Sequence, residues 1–246
     1  MVAITVVKLE ENGFPWRYMK YVSEERQSRI LAYKNTEDKK RSLLSGLLIG
    51  REAIEVAKIP FSAICLAYNL YGKPEVVNAK QFHFNLSHSA SYVVLASSKC
   101  PIGIDIEQIK KIDLTIAKRF FTDREYRFLQ RLSEPEKQIR EFYRLWTLKE
   151  SYIKAVGKGL KIPLNSFSFN ERCELEYTGE PVKQSFRFYS TAFSGYALSV
   201  CYLEKYSNFE LQFITECDLY AYFNNLSVQP SPGSQPIDSK TEGESI

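Results

Sequence analysis

No two of the five cysteines (Cys65, Cys100, Cys173, Cys201 and Cys217) stand in a Cys-x-x-Cys spacing, and their number is odd. That disfavours a disulfide framework and a zinc site, and points to a reducing cytosol. No apolar run is long enough to span a bilayer. Met1–Thr5 opens no basic segment followed by an apolar signal core, so a soluble intracellular protein is expected. There is no Walker loop and no Gly-x-Gly-x-x-Gly, which removes nucleotide binding by those routes. The absence of a Gly-x-Ser-x-Gly elbow argues against a Ser-His hydrolase. Charge of one sign is also in short supply. A net charge of +4 suits anionic partners such as phosphates or an acidic protein, and is too small to argue for nucleic acid.

What is present is an ordinary globular balance. The chain has 246 residues, 44% hydrophobic and 25% charged, enough for one large domain or two smaller ones. The β-branched stretch 2–8 predicts a strand. Ser23 followed by Glu24 and Glu25 opens a helix over 23–34. Residues 38–58 predict a long helix with Asp38 as its cap. Tyr71-Gly72-Lys73-Pro74 is a turn. Phe82–Leu86 and Tyr92–Ala96 read as strands joined by a polar connection, Ser87 to Ser91. A strand follows at Ile102–Ile106, then helices over 113–121, 123–132 and 136–156. Strands at 166–169, 174–177, 185–190 and 196–203 complete an α+β second half. The Pro- and Ser-rich remainder, 227–246, reads as a disordered tail.

Two segments carry chemistry. In a strand over Ile102–Glu107, Asp105 and Glu107 point to one face and Ile102, Ile104 and Ile106 to the other. Two adjacent like charges repel unless a cation lies between them, and Mg²⁺ prefers carboxylate and phosphate oxygens. On alternation alone, a half-buried edge strand with a solvated outer face is the favoured reading, because such patterns are common. In the helix through Trp146-Thr147-Leu148-Lys149-Glu150, Lys149 falls inside the apolar sector, about 300° round from Trp146. A lysine there is costly unless its ammonium meets an anion or reaches water. Glu150 and Lys154 lie one turn apart and by themselves fit a surface ion pair.

Asn85-Leu86-Ser87-His88-Ser89 offers hydroxyl and imidazole donors suited to a phosphate, or simply a turn with local hydrogen bonds. Arg26, Arg29, Lys39, Lys40, Arg41 and Lys73, with the Ser42 hydroxyl beside them, form a basic set that phosphates could use, or a solvated basic surface.

With these segments in hand, the chain resembles the phosphopantetheinyl transferases, of the larger, surfactin-synthetase-activating type. The likeness is carried by Tyr71–Pro74, Phe84–Ser89, Pro101–Glu107, Ala117–Phe121, Leu145–Lys154, Gly157–Leu160 and Pro163-Leu164, and covers about residues 20–205. The resemblance implies an α+β fold, a pseudo-twofold monomer of two similar halves (1–101 and 102–226) with coenzyme A in the cleft between them. It implies a cytoplasmic enzyme that transfers 4'-phosphopantetheine from coenzyme A to a serine of an apo acyl or peptidyl carrier domain, releasing adenosine 3',5'-bisphosphate. Asp105, Glu107 and Glu150 would hold Mg²⁺, or Mn²⁺ in its place, against the pyrophosphate. Asp105, Glu150 and Lys154 are thereby the expected catalytic residues. Lys154 and Lys149 would neutralise phosphate charge. Lys73, Ser87 and His88 would contact phosphates or nucleotide, and Arg26, Arg29 and Ser42 the nucleotide end. Glu125 aligns with an acidic position considered for metal binding or proton abstraction. Acidic carriers would meet Lys110, Lys111, Lys118 and Arg119. The other readings are a noncatalytic coenzyme A- or carrier-binding module, a nucleic-acid binder, and the small trimeric synthase branch, whose chains are about half this length.

Overall fold

A computed structural model describes residues 1–177, 185–203 and 209–226, so the expected disordered tail lies outside the described residues. The elements run β1 (Val2–Lys8), α1 (Glu24–Ala32), α2 (Thr36–Glu55), β2 (Leu66–Tyr68), β3 (Pro74–Val76), β4 (His83–Ser89), β5 (Tyr92–Ser98), β6 (Gly103–Gln108), α3 (Thr115–Phe120), α4 (Asp123–Arg131), α5 (Pro135–Val156), β7 (Phe167–Phe169), β8 (Leu175–Tyr177), β9 (Phe186–Phe193), β10 (Tyr196–Leu203), β11 (Phe209–Ile214) and α6 (Glu216–Leu226). The mixed α+β class expected from the residues is the class observed.

Helix ends follow local chemistry. The Ser23 side chain accepts from Arg26 N at the start of α1. Asn35, and not Asp38, caps α2, accepting from Glu37 N, so this helix begins at Thr36. Asp38 instead pairs with Arg41. Pro135 sits at the first position of α5, where its missing N–H costs nothing, and Gly157 ends the helix in the left-handed conformation at φ 74°.

Two main sheets form, ordered β11-β1-β5-β4 and β6-β10-β9. A shared apolar cluster joins them: Val2, Ile4, Val6, Tyr92, Val94 and Ala96 from the first, and Ile104, Ile106, Tyr196, Leu198 and Val200 from the second. Side chains of opposite parity on these strands face the long helices. Val93 and Leu95 pack with Leu43, Leu44, Leu47 and Leu48 of α2. Ala197 and Cys201 pack with Leu145, Leu148 and Tyr152 of α5. Each sheet thus carries one long helix on the face turned away from the other sheet.

Two expectations are corrected. Residues 87–89 are not a connecting loop: β4 continues through Ser89, and only Ala90-Ser91 turn the chain. The polarity of Ser87 and Ser89 reflects partners across the sheet seam. The expected second half, 102–226, also does not stay together. Strand β11 pairs in parallel with β1 of the first sheet. Leu219, Tyr220 and Phe223 of α6 complete the core under α2. The apolar side of α6 and the open edge of β1 are satisfied together.

Helix α5 lies so close to β6 that a Cβ at Gly103 would stand 1.9 Å from the Ser151 carbonyl oxygen and 2.5 Å from Ala155 N. Both are backbone atoms that cannot rotate away. Gly103→Ala should therefore destabilise the protein by about 3 kcal/mol or more, the upper range for overpacking. Gly13→Ala, where nothing lies within 4 Å, should be neutral in the same thermal melt.

Candidate active site

The alternation of β6 brings Asp105 and Glu107 to the face that looks toward α5, opposite Ser199 and Ala197 of β10. Asp105 is 3% exposed. Its Oδ1 accepts from Lys154 Nζ at 2.6 Å and from Ser87 Oγ at 2.8 Å. Its Oδ2 is buried with no hydrogen-bond partner. Glu107 accepts from Ser89 Oγ at 2.9 Å. Lys154 Nζ also donates to Ser87 Oγ at 3.1 Å and to the Ile104 carbonyl at 3.3 Å. The ion pair of Lys154 is therefore with Asp105 across the cleft, and not the helical pair with Glu150 that spacing alone suggested.

The edges of β4 and β6 meet here through side chains. Asn85 Oδ1 accepts from Ile104 N at 2.8 Å, and Ser89 Oγ accepts from Gln108 N at 3.0 Å. Every second residue of β4 (Asn85, Ser87 and Ser89) thus stitches one sheet to the other and orients the carboxylates.

The resulting cleft, of ≈ 480 Å³, is lined by Arg26, Ser45, Leu86, Ser87, His88, Asp105, Glu107, Trp146, Glu150 and Lys154. It draws on both sheets. Burial, then the negative charge of Asp105, raises the pKa of Glu107. The same two causes, in the same order, raise that of Glu150, with Lys154 opposing. Burial, with Arg41 and Lys154 nearby, lowers the pKa of His88, which favours the neutral imidazole. Arg26 is buried and donates to the Ser42 carbonyl at 3.2 Å. It lies across Gly46, where a Cβ would come within 2.6 Å of its Cδ.

Several expected residues are placed elsewhere. Lys149 is fully buried and turned away from the cleft, with its ammonium 2.8 Å from Glu125 Oε2. The lysine in the apolar sector does meet an anion, but an internal one. Glu125 is itself buried and completes a capping box with Thr122 at the start of α4, so it is not a cleft carboxylate. Lys73 Nζ donates to the carbonyls of Ile102 at 3.1 Å and Lys154 at 2.7 Å. It ties the β2–β3 hairpin to the end of α5 and lines a separate cavity beside His83. Burial lowers its pKa to about 8. Arg29 is exposed and pairs with Glu25. Ser42 engages Arg26 through its carbonyl and does not line the cleft.

Ser45, Leu86 and Trp146 line the cleft without having been assigned a site role. Trp146 was detectable, since Trp146, Glu150 and Lys154 recur at i, i+4 and i+8. Ser45 lies one turn beyond Ser42, and Leu86 shares strand parity with His88.

Among the described residues no three His, Cys, Asp or Glu side chains converge as a ready-made metal cluster. The donor chemistry nonetheless fits a hard divalent cation. Three carboxylates face one cleft, two of them with raised pKa values, and the third keeps a buried oxygen without a partner.

Comparison with known proteins identifies a family. The family model of the 4'-phosphopantetheinyl transferase superfamily matches residues 101–201. A second, described as 4'-phosphopantetheinyl transferase, N-terminal, matches residues 15–100. The chain is 44% identical over 184 residues to the 4'-phosphopantetheinyl transferase gsp of Aneurinibacillus migulanus, covering 74% of this chain and 76% of that one. It is 41% identical over 159 residues to the 4'-phosphopantetheinyl transferase Sfp of Bacillus subtilis (strain 168), covering 65% and 69%. Over 162 residues it is 32% identical to the human L-aminoadipate-semialdehyde dehydrogenase-phosphopantetheinyl transferase, covering 61% and 52%.

The crowding of carboxylates has a measurable consequence. In metal-free protein, NMR titration should place Glu107 and Glu150 above the ordinary carboxylate range. Asp105→Asn removes the negative neighbour, so both midpoints should move to lower pH. Midpoints that stay or rise would contradict the electrostatic coupling.

Proposed function

The chain belongs to the 4'-phosphopantetheinyl transferase superfamily, and we propose that the cleft between its two sheets is where phosphopantetheine passes from coenzyme A to a carrier protein. The activity is transfer of the phosphopantetheine group onto a carrier serine, converting apo to holo carrier. The observation that supports this placement best is Asp105, with its orphaned buried oxygen, beside Glu107, Glu150 and the ammonium of Lys154.

Asp105, Glu107 and Glu150 would hold Mg²⁺, or Mn²⁺ in its place, which supplies positive charge against the pyrophosphate oxygens. The chain's own residues do the rest. The serine hydroxyl of the carrier attacks the β-phosphorus. The bond from that phosphorus to the bridging oxygen of the pyrophosphate breaks, and adenosine 3',5'-bisphosphate leaves with the electron pair. Lys154 stabilises the charge that grows on the leaving group, aided by the Ser87 hydroxyl. Arg26 and His88 orient the nucleotide's phosphates from the α1 and β4 sides. The Glu150 carboxylate takes the serine proton. Burial, then the negative charge of Asp105, raises its pKa and so makes it a stronger base than an ordinary carboxylate. No covalent enzyme intermediate is needed.

We read the protein as a cytoplasmic monomer, a pseudo-twofold pair of α+β halves. The one long helix on each sheet supports the pairing. Five cysteines with no Cys-x-x-Cys spacing suit a reducing compartment. Among the described residues no helix is long and apolar enough to cross a membrane. Exposed Lys110, Lys111, Lys118 and Arg119 follow β6 and suit an acidic carrier.

An apo carrier incubated with coenzyme A, Mg²⁺ and the protein should gain one phosphopantetheine by mass spectrometry. Asp105→Ala or Glu150→Ala should slow the gain by about a hundredfold or more while the circular dichroism spectrum is unchanged. A folded protein that modifies no acyl or peptidyl carrier would leave only a noncatalytic binding module. Lys118→Glu with Arg119→Glu should raise KM for the carrier by about tenfold and leave that for coenzyme A unchanged. An unaltered carrier KM would remove these residues from docking.

A further inference from the structure

We infer that Lys149 and Glu125 are positioning residues, a buried ion pair that fixes the rotation of α5 by which Glu150 and Lys154 face the cleft. The inference rests on the reading of that cleft as the site of transfer. It also reverses the expectation that Lys149 touches phosphate. All three ammonium hydrogens have acceptors within the protein: Glu125 Oε2 at 2.8 Å, the Leu164 carbonyl at 2.9 Å and the Phe167 carbonyl at 2.6 Å. The side chain is 0% exposed, with the ring of Phe167 centred 4.6 Å from Nζ. No donor and no path remain for a substrate.

Glu125 is equally committed. Its Oε2 also accepts from the N–H and the hydroxyl of Thr122, both at 3.0 Å, and its Oε1 from Phe169 N at 3.0 Å. One carboxylate therefore joins the start of α4, strand β7 and helix α5. On the opposite flank, α5 is pressed against β6 where Gly103 admits the backbone of Ser151 and Ala155. The helix is thus clamped from both sides at successive turns. Glu150 follows Lys149 by about 100° of rotation, so the clamp on Lys149 sets where Glu150 and, one turn on, Lys154 point. A fixed lysine could in principle serve stability alone. A buried ion pair is weak grounds for that, because apolar replacements of both partners are often as stable. Its distinctive contribution here is geometric, and misplacement by about 1 Å can cost a hundredfold in rate.

The test compares single and paired variants in the steady-state transfer assay with coenzyme A and an apo carrier. Lys149→Met alone strands a buried carboxylate and should lower Tm sharply. Lys149→Met combined with Glu125→Gln removes both charges and should recover most of that Tm. If the pair positions α5, kcat of the double variant stays at least tenfold down, with KM for coenzyme A within about threefold of wild type. Recovery of kcat along with Tm would overturn the inference in favour of a purely structural pair. A tenfold rise in KM for coenzyme A with kcat retained would overturn it in favour of a phosphate contact. Glu125→Asp keeps the charge and shortens the arm, which covers the case in which the double variant does not fold. It should keep a Tm near wild type and still lose kcat, and full activity would count against positioning. Wild-type turnover, measured in parallel, tests the transfer reading on its own.

Discussion

Everything in this protein turns on holding like charges together away from water. Asp105 and Glu107 share one strand face by the period of the β-strand, and Glu150 is brought to the same cleft by α5. Removing carboxylates from water is costly, and placing them beside one another adds repulsion. The raised pKa values of Glu107 and Glu150 express that tension. It is relieved by the ammonium of Lys154 and by the hydroxyls of Ser87 and Ser89. The remaining unpartnered oxygen of Asp105 marks where the relief is incomplete.

The architecture serves this constraint from several directions. Gly103 lets α5 approach β6 until Lys154 reaches Asp105. Asn85, Ser87 and Ser89 close the seam between the sheets with side-chain bonds where no backbone ladder forms between β4 and β6. Gly46 gives Arg26 room to lie across α2 with its guanidinium at the cleft. Lys73 bonds the carbonyls of Ile102 and Lys154, joining the first half's hairpin to the second half's helix. These contacts cross between sheets, so the cleft exists only when both are assembled.

Much of this was legible in the residues. The alternation in Gly103–Glu107 put the two carboxylates on one face, and helical periodicity set Glu150 and Lys154 on one edge of α5. The same periodicity flagged Lys149 as misplaced, but could not say which anion it meets. Glu125 lies 24 positions away, and only tertiary packing brings the two together. Ser87 and Ser89 were taken for a loop because polar residues signal turns, whereas their partners, Asp105 and Glu107, are carboxylates on another sheet. Strand β11 and helix α6 were missed for a related reason. The strand is largely exposed, and its pairing is with β1 at the far end of the chain.

The most direct test is the anomalous density of crystals grown with coenzyme A and Mn²⁺. The account predicts one strong peak in contact with carboxylate oxygens of Asp105, Glu107 and Glu150 and with the pyrophosphate, with Lys149 still on Glu125. A pyrophosphate bound with no metal at these carboxylates, or a peak at another site in an active crystal, would contradict it.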